Sequence, residues 1–219
     1  MKPLLITIDG PAGAGKTTVS RNLACRLGYR YLDTGALYRS VALEVIEKKV
    51  LSDHDLEELC RNLSINLVLK DGVFRLVCNG EDVTDKIRTE EISMMASKIS
   101  AKPVVRKALL SLQREIGEKK GVVAEGRDMG TVVFPDADIK FFLDASVETR
   151  ALRRYHELTL GSSQTLKQVE DQIRKRDQND SSRDVAPLKA AHDAIIIDST
   201  KLSAEKVVDQ MLENIFKLY

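Results

Sequence analysis

The sequence lacks a strong charge of either sign. Its 34 basic and 33 acidic side chains nearly cancel to a formal charge of +1. No global field therefore draws the chain to nucleic acid or to an anionic membrane. It also lacks an apolar span of about 20 residues, the length that crosses a bilayer as a helix, and no signal-peptide pattern follows Met1. Cysteine is scarce: Cys25, Cys60 and Cys78 are odd in number, far apart and not spaced with histidine. They form neither a zinc site nor a disulfide framework, and read as small buried hydrophobes of a cytoplasmic protein. His54, His156 and His192 stand in no catalytic context. Internal repeats, low-complexity segments and the Asn-Lys-x-Asp motif of guanine-reading switches are missing too.

What remains is ordinary globular composition with one unusual stretch. With 43% hydrophobic and 31% charged residues over 219 positions, the chain can build one α/β domain with a substantial core, insertions included. The stretch is Gly-Pro-Ala-Gly-Ala-Gly-Lys-Thr, Gly10 to Thr17, which fits the P-loop pattern. Its flanks agree with it. Leu4 to Ile8 is an apolar run suited to a strand buried on both faces, and Val19, Leu23 and Leu27 recur at intervals of four after the loop, as on one helix face. Glycines let the backbone turn tightly with its N–H groups inward, and the helix N-terminus adds positive potential. Gly10, Pro11, Ala12, Gly13, Ala14, Gly15, Lys16, Thr17 and Thr18 are the candidate ATP-binding residues, with the Lys16 ammonium for the β- and γ-phosphates and the Thr17 hydroxyl for Mg²⁺.

Four more segments read as buried strands: Tyr29–Leu32, Gly121–Ala124, Ile139–Leu143 and Ala194–Ile197. Helical patterns separate most of them, which implies a five-stranded parallel sheet covered on both faces. Ligands of such sheets sit beyond the carboxyl ends of the strands, where the sequence puts Asp9, Asp33, the Glu125–Asp128 tetrad, Asp144 and Asp198. Two regions break the rhythm. From Ser64 to Asp85 the residues alternate, with hairpin signals at Asp71-Gly72 and Asn79-Gly80, and a helical stretch follows from Glu90 to Ala101. From Tyr155 to Pro187 the chain is polar, opens on a Gly-Ser-Ser turn at Gly161, and reads as a flap outside the core.

A phosphoryl transferase must hold a second, accepting group in line and keep water away. Thr34 and Arg39 open a helix whose apolar face includes Leu37, Val41 and Val45; a hydroxyl and a guanidinium there can grip an anion, or serve as a cap beside a solvated arginine. Arg127 and Asp128 directly follow a buried strand. They form a structural ion pair or read a nucleobase, the carboxylate accepting from cytosine N4 and the guanidinium donating to its acceptors. Arg150, Arg153 and Arg154 share a helix face, and Arg174, Arg176 and Arg183 lie in the flap. Each reads as surface charge or, in concert, as a fork on transferring phosphoryl oxygens.

Taken together, Ile6–Thr18, Leu32–Arg39, Glu81–Ile92, Ala124–Ala145, Arg176–Leu188 and Ile195–Thr200 resemble bacterial-type cytidylate kinase, in the nucleoside-monophosphate kinase group of P-loop kinases. The Gly126–Ala137 run and the arginine-rich segment before Val185–Leu188 are the most specific part of that likeness. The resemblance implies a three-layer α/β P-loop kinase fold, with core parts at 1–62 and 104–219, a small antiparallel β-rich monophosphate-binding insert at 63–103, and a short helical lid near 155–187. It implies transfer from ATP, with Mg²⁺, to CMP and dCMP in a monomer of pyrimidine metabolism. By the same likeness Thr34, Ser97, Arg106, Arg127, Asp128, Asp180 and Arg183 surround the acceptor, joined by Arg39 from the residue reading, and Lys16, Arg154, Arg176 and Arg183 act on the transferring group. The family often carries serine where Thr34 stands, which bears on fine preference rather than on activity. The alternatives are a P-loop kinase for UMP, AMP or a hydroxyl metabolite, a GTP-binding switch, and a nucleic-acid motor; size and neutral charge count against the motor.

Overall fold

The computed structural model describes residues 2–50, 52–70, 73–157 and 164–218, with backbone only at 69, 70, 73 and 74. The Asp71-Gly72 turn and the Gly161 turn expected from the sequence lie outside the described residues. The chain divides into two compact units, one formed by 1–32 with 114–219 and the other by 33–113.

The first unit is built on five strands: β1 (Leu5–Asp9), β2 (Arg30–Asp33), β6 (Val122–Gly126), β7 (Ile139–Asp144) and β8 (Ile195–Asp198), ordered β2-β6-β1-β7-β8. The central strand β1 runs parallel to both β6 and β7, and β7 runs parallel to β8. These are the five strands expected from the apolar runs, each reaching one or two residues further at its polar carboxyl end. Val122–Gly126 is buried throughout, as a strand covered on both faces must be. Helix α1 (Lys16–Leu27) and helix α8 (Ala204–Phe216) complete this core: Val19 and Leu23 meet Val207, Met211 and Ile215 over Ile6, Ile8, Phe141 and Leu143.

Helices α6 (Val147–Glu157) and α7 (Leu166–Ser182) belong to the same unit. The polar stretch read as a flap outside the core is here a long helix with its own apolar seam, because Val169 and Ile173 bury against Ala151 and Val147 of α6. A reciprocal cap starts α7: the Thr165 hydroxyl accepts from Gln168 N, and the Gln168 side chain accepts from Thr165 N. The seam is so sparse that polarity hides it in the sequence.

The second unit holds helices α2 (Thr34–Glu47), α3 (Asp53–Arg61) and α4 (Glu90–Ile99), the first part of α5 (Pro103–Glu118), and a three-stranded antiparallel sheet of β3 (Ile65–Lys70), β4 (Val73–Cys78) and β5 (Glu81–Asp82). Asn79 and Gly80 join β4 to β5 with φ of 49° and 87°, the pair of positive values that a tight hairpin requires. Cys60 and Cys78 are buried as expected; Cys25 is exposed on α1, which corrects the reading of all three as core. Burial and the neighbouring Glu44 push the Cys78 thiol up to about 12, so it stays protonated. No helix among the described residues is long and apolar enough to cross a membrane.

Candidate active site

The loop between β1 and α1 takes its shape from what crowds it. At Gly10, with φ 150°, a Cβ would fall 2.0 Å from the Leu143 carbonyl oxygen; at Gly13, with φ 77°, it would meet backbone and Cβ of Arg150 at 3.0 Å. Neither position tolerates a side chain. Helix α6 supplies the rest of the support. The Arg150 guanidinium, buried, donates to Ala12 O at 3.0 Å and to Ala145 O at 2.8 Å, and pairs with Asp177 of α7 at 2.6 Å. Arg153 donates to Ala14 O at 3.3 Å and to Ser199 O at 2.7 Å. Loop carbonyls are thus held outward by two arginines. Carbonyl and N–H groups of a tight loop point to opposite sides, so this arrangement leaves the N–H side for an anion.

Lys16 begins α1 and is buried, donating to Pro11 O at 2.6 Å. Burial, then the positive charges of Arg127 and Arg176, hold its ammonium well below the usual lysine range, against the pull of Glu125 and Asp9. A group bearing negative charge at this point relieves that depression. Thr17 donates its hydroxyl to Glu125 Oε1 at 2.8 Å. Oxygen donors of this kind, a hydroxyl beside a carboxylate, suit the hard Mg²⁺ ion. Glu125 sits at the end of β6, and the sequence offered it only as one member of a polar tetrad; an acid closing a strand next to the loop's own strand is the signal that singles it out.

The carboxyl end of β6 carries the second cluster. The Arg127 Nε donates to Asp180 Oδ2 at 3.0 Å, and the Arg183 guanidinium stands 3.8 Å from Asp128 Oδ1. Asp128, Asp180 and Arg183 are buried at the side chain, and Arg183 also donates to Ala186 O at 2.7 Å. Burial alone would raise the Asp180 carboxyl, but Arg127, Arg176 and Arg183 outweigh it and hold it below the usual range. Asp128 leads into a single π-type turn, Met129–Val133, closed by bonds from Val133 N to Asp128 O and Phe134 N to Met129 O. Asp9, the last residue of β1, accepts from Met129 N at 2.9 Å and Gly130 N at 2.8 Å. It thereby fastens this turn to the strand that launches the loop. Burial pushes Asp9 up to about 6, with Asp128 adding to the rise and the two N–H groups opposing it.

The first unit therefore brings Lys16, Thr17, Arg127, Asp128, Arg176, Asp180 and Arg183 of the sequence candidates into one charged neighbourhood. Arg154 stands apart, exposed and paired with Glu157 at 3.2 Å, and Arg174 is held by Glu170 and Glu148. Arg150 and Arg153 take the loop contacts instead. The remaining candidates lie in the second unit. Asp33 caps α2 by accepting from Ala36 N and pairs with Arg39 at 2.9 Å, with Thr34 buried beside it. Arg106, buried, donates to Ser100 O at 3.1 Å and lies over the Tyr38 ring at 5.8 Å; Ser97 is half-buried on α4.

The chain resembles known proteins along almost its whole length. The family model for cytidylate kinase matches residues 6–217. A cytidylate kinase of Geobacter sulfurreducens is 52% identical over 211 residues, covering 95% of this chain and 91% of its own. One from Caldicellulosiruptor bescii is 48% identical over 222 residues, covering 100% and 98%. Among solved structures, shikimate kinase from Acinetobacter baumannii in complex with shikimate superposes with a TM-score of 0.50 at 20% identity, covering 99% of this chain and 95% of its own, a likeness of fold.

Proposed function

This chain belongs to the cytidylate kinase family and phosphorylates CMP with ATP as co-substrate, and from that premise we propose how its residues divide the reaction. The loop Gly10–Thr18 binds the ATP phosphates through its N–H groups, with Lys16 bridging the β- and γ-phosphates. Thr17 would offer Mg²⁺ its hydroxyl oxygen, with Glu125 beside it accepting the hydroxyl proton, and the ion would supply charge neutralisation at those phosphates. Asp128 and Arg127 read cytosine, with Asp180 and Arg183 holding them in register. From the second unit, Thr34, Arg39, Ser97 and Arg106 bind the monophosphate, and the segment 63–103 serves as its insert.

Transfer is direct and in line. The acceptor is a phosphate oxygen that is already largely anionic, so no strong general base is needed; positioning and neutralisation of charge supply the rate. Arg176 and Arg183 close over the transferring group, within the 155–187 lid. Arg154 joins them only on leaving Glu157. The same reading takes dCMP as a second acceptor and a cytoplasmic monomer of pyrimidine metabolism as the working form, with no nucleic-acid or membrane partner.

The observation that carries this reading is that Arg127, paired with the buried Asp180 at 3.0 Å, also acts on the loop lysine, with the Arg183–Asp128 pair following the same strand end. It joins a phosphate-holding lysine to a carboxylate–guanidinium reader. The test is coupled ADP production with ATP fixed and CMP, dCMP, UMP and AMP as acceptors. Uracil offers an acceptor where cytosine offers the N4 donor, so UMP sets two acceptors against each other at Asp128. CMP and dCMP should exceed UMP and AMP in kcat/KM by about 100-fold. Equal use of UMP, or preference for AMP, contradicts the assignment of Asp128.

A further inference from the structure

Two hydroxyls converge on one oxygen of Glu125. Thr17 donates to Oε1 at 2.8 Å, and the Tyr31 phenol donates to the same atom. Tyr31 lies on β2, the strand hydrogen-bonded beside β6. Its ring is held in turn by Arg21, whose guanidinium carbon stands 5.2 Å from the ring centroid, a cation–π contact. Arg21 is on α1 four residues after Thr17, so the two project from one helix face. Thr17, Glu125, Tyr31 and Arg21 therefore form a closed circuit from the helix to the sheet and back.

We propose that Tyr31 is a positioning residue for the metal–nucleotide site, fixing Glu125 as a hydrogen-bond acceptor rather than a direct metal ligand. A threonine hydroxyl has one proton and two lone pairs. When its proton is committed to Glu125, its lone pairs are turned away from the carboxylate and are available to a cation. The Tyr31 bond makes that commitment firm: it fixes the carboxylate rotamer and occupies a second lone-pair direction of Oε1, so this oxygen is a poorer direct ligand. Glu125 then orients Thr17 and neutralises charge from outside the metal's own shell. This inference rests on Thr17 and Glu125 being the magnesium site.

The test reads binding rather than turnover. A fluorescent ADP analogue is titrated into each variant with Mg²⁺ and with chelator, and the ratio of the two affinities gives the magnesium-dependent gain. Tyr31→Phe keeps the ring and its Arg21 contact and removes only the hydroxyl. It should lower the gain about 10-fold while leaving metal-free ADP affinity and the unfolding temperature near wild type. Tyr29→Phe is the matched control, since that hydroxyl accepts from Leu4 N at 3.1 Å and does not reach Glu125; its gain should be unchanged. Glu125→Gln separates the two levels. If Glu125→Gln keeps the full gain, the magnesium site itself is misassigned. If Glu125→Gln loses the gain while Tyr31→Phe retains it, positioning by Tyr31 is overturned and the site stands. A loss in Tyr29→Phe equal to that in Tyr31→Phe assigns the effect to general packing around the start of β2 and likewise overturns the proposal.

Discussion

The two arginine sets of the first unit use one side chain for opposite purposes. Arg150 and Arg153 of α6 give N–H groups to main-chain carbonyls of the loop, with Asp177 of α7 balancing the Arg150 charge, so this set shapes backbone. Arg127 and Arg183 face carboxylates, Asp180 and Asp128, in pairs whose buried partners can exchange for ligand groups. A guanidinium facing carbonyls is an architectural tie. A guanidinium paired with a buried carboxylate is expensive to leave half-made, because either partner alone would be an uncompensated buried charge. Lys16 feels the second set, whose Arg127 lowers its proton affinity, while it sits in the loop shaped by the first.

The sharpest break of this division is Lys16→Met. Loss of the loop's charge should lower kcat by about 1000-fold with the fold intact by circular dichroism; transfer within a few-fold of wild type would remove Lys16 from the chemistry. Next is the tie between the sets, Asp9. Its carboxyl lies near 6 in the fold against 3.8 unperturbed, so the folded state binds the extra proton and Asp9 itself adds stability as pH falls from above 6 toward 3.8. Its ionised form costs up to about 3 kcal/mol at neutral pH. The unfolding temperature of Asp9→Asn minus that of wild type should therefore rise as pH is raised through 6; a flat difference would place the cost of Asp9 elsewhere. Asp128→Ala comes third: KM for CMP should rise about 30-fold, a loss near 2 kcal/mol, with KM for ATP little changed. Arg153→Ala gives the smallest effect and the opposite sign of selectivity, with KM for ATP up about 5-fold and KM for CMP near wild type. If Arg153→Ala and Asp128→Ala weakened both substrates alike, the two sets would not be functionally distinct.

How far the sequence anticipated this molecule follows from the range of each interaction. β1, β6 and β7 were legible because a parallel strand buried on both faces is nearly all apolar over a few residues. The loop was legible because its glycines and Lys16 are consecutive. The α7 seam was not, since Val169 and Ile173 are isolated in a polar segment and gain meaning only against Ala151. Nor were the roles of Arg150, Arg153 and Arg154 separable: they share a helix face, and only tertiary contact decides that the first two bind loop carbonyls while the third pairs with Glu157. Glu125 and Tyr31 lie 94 positions apart; their bond depends on β2 lying beside β6, an order no local pattern encodes. Asp9 was visible as a strand-end acid, but its grip on Met129 and Gly130 spans 120 residues or more.

The most direct test of the central claim is a crystal structure with a bisubstrate analogue joining adenosine and cytidine through a polyphosphate. The account predicts loop N–H groups and Lys16 around the adenosine-side phosphates, with cytosine N4 within hydrogen-bond distance of Asp128. A cytosine seated away from Asp128 and Arg127, or a polyphosphate that bypasses the loop, would contradict it.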